Sequence, residues 1–245
     1  MESQLTFTDK LVNIFVSPSE VFEDVTTTES KSSNYWIPLL FTIIAGIIFN
    51  FVVFSDTAIQ SQMDDITHSQ IMQAVENGKM TPEQAEIAIE KNPAKPGSRM
   101  FFIIGSVGIM FIMFLTLFGV SFVVWLCGKI FFKSAATYGK YCETVGVSMY
   151  ILMTGTLLTM VTILLQGSLY STPSLGIFVN DYDVKNKYHL IYSAFDLSSF
   201  WFMSVLSIGL SKLYATTYSK ALTTILILWA LYVASKLFLS FSFAV

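Results

Sequence analysis

The sequence predicts an all-α polytopic membrane protein: five transmembrane helices, an amphipathic helical leader, and an extramembrane helical hairpin between spans one and two. The first observation is the stretch Met100–Cys127, which carries no charged side chain. As a helix it would run roughly 40 Å, beyond the roughly 30 Å hydrocarbon core of a bilayer. The second is composition. Hydrophobic residues make up 53% and charged residues 13% of the chain, mean hydropathy is +0.62, and soluble domains carry about a quarter charged residues. The third is recurrence: further apolar runs follow one another, separated by polar segments.

Residues 1–35 form the leader, expected on the cytoplasmic side. MESQLTFTDK has no apolar h-region close behind it, so a cleaved signal peptide is not expected and the first apolar run should act as an anchor. Leu11, Ile14 and Phe15, then Val21, Phe22 and Val25, recur at helical spacing around Pro18. Ser17 should cap the second helix, with Pro18 first and Glu20 closing a capping box. The apolar faces should dock on the bundle rather than on the membrane surface, because the polar faces hold more acid than base.

The membrane domain covers residues 36–245, with spans at about 36–54, 100–127, 144–167, 191–214 and 221–243. Tyr35 and Trp36 suit the water–lipid interface. Pro38 falls in the first turn of span one, where a missing N–H costs little. Arg99, Lys129 and Lys133 flank span two and should hold it in place. Gly146 and Gly155 in span three, and Ala230 and Ala234 in span five, favour close helix contacts. Span five follows span four after a short link, so the two should be antiparallel neighbours.

Residues 55–99 are a polar insertion, read as the hairpin. Ile59, Met63, Ile66, Ile71, Met72 and Val75 suggest one adhesive helix face, a candidate partner surface. Gly78 should stop that helix, and Thr81-Pro82-Glu83-Gln84 should start the next with a capping box.

Lysines choose the orientation. Lys10, Lys31, Lys129, Lys133, Lys140, Lys212 and Lys220 fall on the leader side. Most positive charges opposite them lie in the long insertion, which also holds the acids Asp56, Asp64, Asp65, Glu76, Glu83, Glu86 and Glu90. The expected topology has the amino terminus in the cytoplasm and the carboxyl terminus outside.

Candidate chemistry is sparse. Asp196 and Lys236 are read as ionisable residues inside spans four and five at similar depth, with Asn50 and Gln166 in the same layer. An isolated charge in lipid is costly, so pairing Asp196 with Lys236 would offset the burial. This cluster is either a polar pocket for an ion or small ligand in the outer half of the bundle, or a structural pair. The structural reading is preferred. Glu143, near the start of span three, is expected to favour the helix dipole without a catalytic role. Cys127 and Cys142 are expected to be reduced packing residues. His68 and His189 are far apart on polar segments, and no metalloprotease, P-loop, hydrolase or dinucleotide motif occurs. Neither catalysis nor a cofactor is expected. The slight net charge of −3, with no basic cluster, gives no nucleic-acid footprint.

The leader LVNIFVSPSEVFEDV with YWIPLL, the linker KIFFKSAATYGKYCETVGVSMY, and FWFMSVLSIGLSKLYATTYSKALTTILILWALYVASKLF together resemble bacterial proteins of the Yip (Ypt-interacting protein) membrane family. The resemblance implies five spans and a cytoplasmic amino terminus, in a bacterial cytoplasmic membrane. Eukaryotic members bind Rab-type GTPases and shape or sort vesicle membranes. Their aspartate-leucine-tyrosine-glycine-proline signature is missing here, so GTPase binding is not expected. The functional expectation is an adaptor, assembly or membrane-organising subunit that contacts lipid and another membrane protein or transport complex, or a second copy of itself. The alternative is a small transporter, channel or lipid-handling protein.

Overall fold

A computed structural model describes residues 4–179, 182–183 and 186–242, with side chains as far as Phe238. Among these residues the regular elements are helical. The leader forms α1 (Phe7–Val16) and α2 (Pro18–Thr27). Then come α3 (Ser33–Phe54), α4 (Thr57–Glu76), α5 (Pro82–Glu90), α6 (Arg99–Phe131) and α7 (Tyr138–Gln166). A 3-10 turn at Leu175–Phe178 precedes α8 (Lys187–Ala194), α9 (Leu197–Leu213) and α10 (Tyr218–Ser242).

Four helices are long and apolar enough to cross a membrane: α3, α6, α7 and α10, the last over its described part Tyr218–Phe238. Their surfaces are apolar where they meet no protein. Phe111 and Leu115 of α6 are 69% and 61% exposed, and Leu231 of α10 is 62% exposed. Such surfaces suit lipid, where apolar side chains need no covering.

The expected fourth span is corrected. The helix over 191–214 is broken, leaving α9 with 17 residues. At the break Asp196 is extended, and the Asp196 carboxylate accepts the Ser199 N–H at 2.8 Å. The Leu197 N–H donates to the Pro173 carbonyl at 2.9 Å, and the Leu175 N–H to the Phe195 carbonyl at 3.2 Å. A cap and a short bridge to the preceding loop replace the helical bonds there. Residue 243, the expected end of span five, lies outside the described residues.

The core forms where α3, α7 and α9 meet and the leader closes over them. Ile14, Val21, Phe22 and Val25 are fully buried there with Leu39, Val145, Met149 and Leu206. The leader therefore docks on the bundle. Phe15 meets Trp201 of α9 edge-on at 5.7 Å, and the ring of Phe22 fills the space beside Gly209. The Ser17 cap differs from expectation: its side chain makes no capping bond, although Pro18 does stand first. Ser17 is the single residue between two helices, and its N–H already closes α1 on Asn13. The capping box occurs instead at Thr6 and Asp9, where α1 begins.

Small residues set the closest approach. A Cβ on Gly146 would lie 2.5 Å from the Tyr35 Cα and 2.9 Å from the Asn34 carbonyl oxygen. Pro38 sits inside α3 and has no N–H to offer the Asn34 carbonyl one turn back. α7 thus approaches α3 where its backbone has a spare acceptor. Gly155 plays a similar part against Ser198. Ala230 and Ala234 of α10 are exposed and support no such contact.

The insertion folds as two helices. α4 ends at Glu76 ahead of Gly78, whose φ of 68° suits glycine. α5 starts with the expected Thr81–Gln84 capping box.

Candidate functional site

The expected polar layer draws its four residues from four different elements. Asn50 is buried and faces α6, donating to the Phe102 carbonyl at 3.1 Å and to the Ser106 hydroxyl at 3.3 Å. Gly105 leaves room for that amide. Gln166 is the exposed last residue of α7. Asp196 caps α9 and is not inside a helix. Lys236 is on the exposed side of α10. The groove beside Asp196, of ≈ 400 Å³, is lined by Thr159, Tyr170, Thr172, Tyr182 and Ser193 as its polar neighbours. Apolar continuity across residues 191–214 concealed the cap. Asp196, a residue type favoured at helix N-caps, was the available signal inside that run.

The adhesive face of the insertion also divides. Ile59 is fully buried with Val53 and Ile163, so it fastens α4 to α3 and α7. Each residue turns a helix by about 100°, which sets Ile59, Met63 and Ile66 on one side of α4 and Ile71, Met72 and Val75 on the other. Met72 and Val75 meet Pro82, Ala85 and Ile89 of α5 around a groove of ≈ 460 Å³, with Glu86 and Glu90 at its edge. Met72 is 43% exposed. Of the expected partner surface, this second side remains open while Ile59 is spent on anchoring.

The strongest polar constellation was not foreseen. Glu143 is fully buried in α7. It accepts the Asn34 amide at 2.6 Å and a hydrogen bond from the Ser30 hydroxyl, and it pairs with Lys140 at 3.3 Å. The Asn34 carbonyl oxygen in turn accepts from the Lys10 ammonium at 3.0 Å, and Lys10 pairs with Asp24 at 2.8 Å. Lys140 also donates to the carbonyls of Val25 and Thr28, both at 2.7 Å. Acid, ammonium, amide, acid and ammonium thus alternate through α2, α1, α3 and α7. Every charge in this buried network has an opposite neighbour or a dipole aimed at it, as burial requires. The chain fixes the leader and offers no nucleophile–base pair. The available sequence signal was Lys140 and Glu143 three residues apart on one helix face. Its partners Lys10, Asp24 and Asn34 are distant in sequence and were beyond that signal.

Further ties hold the same end of the bundle. The Tyr214 hydroxyl donates to the Val124 carbonyl at 2.7 Å, and the Ser134 hydroxyl to the Leu213 carbonyl at 2.6 Å. Phe132 stacks on Tyr214 with ring centres 4.3 Å apart. Cys127 and Cys142 are buried free thiols.

Long apolar helices with outward apolar faces, gathered round a core sealed by a docked leader, define a multi-pass helical membrane protein. The chain matches the family model of the Yip1 domain over residues 12–239 and belongs to that family. Comparison with curated proteins and with solved structures gave no match.

Proposed function

We propose that this protein is an adaptor or membrane-organising subunit that holds another membrane protein complex through α4 and α5. It crosses the cytoplasmic membrane five times, with α9 as the fourth crossing in chain order. Seventeen residues rise about 25 Å, at the short end of what spans a bilayer. The amino terminus is cytoplasmic, the carboxyl terminus outside, and α4–α5 form a hairpin on the outer face. The protein acts by binding, without catalysis or a cofactor.

One observation carries this reading. α4 and α5 are well-formed helices fastened to the bundle at Ile59, yet they keep an apolar groove open between them. Exposed apolar surface on an ordered element marks interaction sites. The test is deletion of residues 58–96, followed by purification in mild detergent and identification of the proteins that accompany each form. Partners present with the full chain and absent from the deleted one are expected. An unchanged set would overturn the reading. A reporter joined after Val245 tests the orientation separately, and a cytoplasmic signal would refute it.

A further inference from the structure

The groove between α4 and α5 carries information about what it takes. Its floor is Met72, Val75, Pro82, Ala85 and Ile89, and its edge holds Glu86 and Glu90 one helical turn apart. Both glutamates are exposed. The described ion pairs are Lys10–Asp24, Lys140–Glu143 and Lys212–Glu23, and all of them join the leader or the bundle. None neutralises a carboxylate of α4 or α5. Asp64 and Asp65 lie by a neighbouring hollow that shares Ile89 with the groove and also holds His68 and Lys95. Asp24 and Glu23 of the leader are thus taken up in ion pairs, while Glu86 and Glu90 stay exposed at the edge of an apolar slot.

We infer that this groove binds a cationic amphipathic segment of a partner protein, with aliphatic side chains in the slot and Lys or Arg beside Glu86 and Glu90. The inference rests on the adaptor reading and names the chemistry of its partner. A volume of ≈ 460 Å³ accommodates a few aliphatic anchors at helical spacing, the mode by which amphipathic helices enter grooves. Met72 gives the floor a side chain that adapts to different anchors. The rim charges select against acidic segments, because an unpaired carboxylate facing another costs affinity.

The test uses the full chain in phosphatidylcholine nanodiscs, which carry no net lipid charge. Two labelled helical peptides share one leucine stripe; one has lysines beside it and the other glutamates. Fluorescence anisotropy should show the lysine peptide binding about tenfold tighter than the glutamate peptide. The exposed substitutions Glu86→Lys and Glu90→Lys together should reverse that preference. Met72→Asp should weaken both peptides while hydrogen exchange in α5 stays unchanged. Equal binding of the two peptides, or a preference that survives charge reversal or appears with empty nanodiscs, would overturn the inference. If deletion of 58–96 removes native partners but charge reversal does not, the adaptor reading stands and the cationic partner falls. If the deletion removes none, the adaptor reading itself fails.

Discussion

Asn34, in the first turn of α3, donates its amide to the buried carboxylate of Glu143 on α7 at 2.6 Å, while its carbonyl oxygen accepts from Lys10 of the leader at 3.0 Å. One neutral side chain therefore presents a donor to an anion and an acceptor to a cation. It joins two ion pairs that would otherwise be separate, and it does so at the point where leader, α3 and α7 converge.

Replacing Asn34 by Leu should therefore cost about 2–3 kcal/mol, since a charged acceptor inside the bundle loses its donor. Thermal unfolding in mild detergent measures this. Limited proteolysis should show the leader released first. Lys10→Met alone should also destabilise, and adding Asp24→Leu should recover much of the loss, because an apolar pair replaces an ion pair better than half of one does. A double variant as unstable as the sum of the singles would refute the coupling.

Gly146→Ala tests the packing of α3 on α7. The added methyl would stand 2.5 Å from the Tyr35 Cα, where the obstacle is backbone and cannot rotate away. A loss of about 1–3 kcal/mol is expected. Gly108, with nothing near its Cβ position, is the control: Gly108→Ala should be neutral or slightly stabilising. Unfolding midpoints of the two variants decide the matter.

Ile59→Ala should loosen the hairpin without unfolding the bundle. Ile59 is fully buried in a small cluster of its own with Val53 and Ile163, and truncation there costs about 2–4 kcal/mol. Hydrogen exchange should accelerate through α4 and α5 and remain slow in α3 and α7. Met72→Ala, in the open groove, should leave exchange as it is.

Asp196 separates a cap from a buried charge. Asp196→Asn should be nearly neutral because Asn caps a helix as well, whereas Asp196→Ala should cost about 1 kcal/mol. Combining Asp196→Ala with Lys236→Met should give additive losses, within about 0.5 kcal/mol, if the two residues act independently. A strong coupling in that cycle would establish an Asp196–Lys236 pair.

The start of α1 should respond to acid. Hydrogen bonds from the Thr6 hydroxyl and the Thr6 N–H hold the Asp9 carboxyl below the ordinary aspartate range. A lowered folded-state value means the carboxylate supports folding. That support is complete above the ordinary range and is lost as pH falls through the lower folded value. Exchange of the Asp9 amide, which donates to the Thr6 hydroxyl at 3.2 Å, should rise relative to other α1 amides on acidification. Asp9→Ala should remove that extra dependence.

Much of the helix plan was legible along the chain. Apolar length marked α3, α6, α7 and α10, and proline with a capping box marked α5, because these signals act over a few residues. The leader's docking face was visible in the spacing of Ile14, Val21, Phe22 and Val25. The adhesive face of α4 was misjudged because counting apolar residues ignores the turn of the helix, and Ile59 and Met72 point in different directions. The break at Asp196 was misjudged because hydropathy averages over a window and cannot see one carboxylate taking a backbone N–H.

The sequence by itself determined that this chain lives in lipid and where most of its helices run, since both follow from the solvent preference and conformational range of neighbouring residues. Only the tertiary structure decided that Lys10, Asp24, Asn34, Lys140 and Glu143 form one buried chain, that Gly146 faces a backbone, and that the two sides of α4 have different tasks. Those relations join residues far apart in sequence, and their energy exists only once the helices have packed.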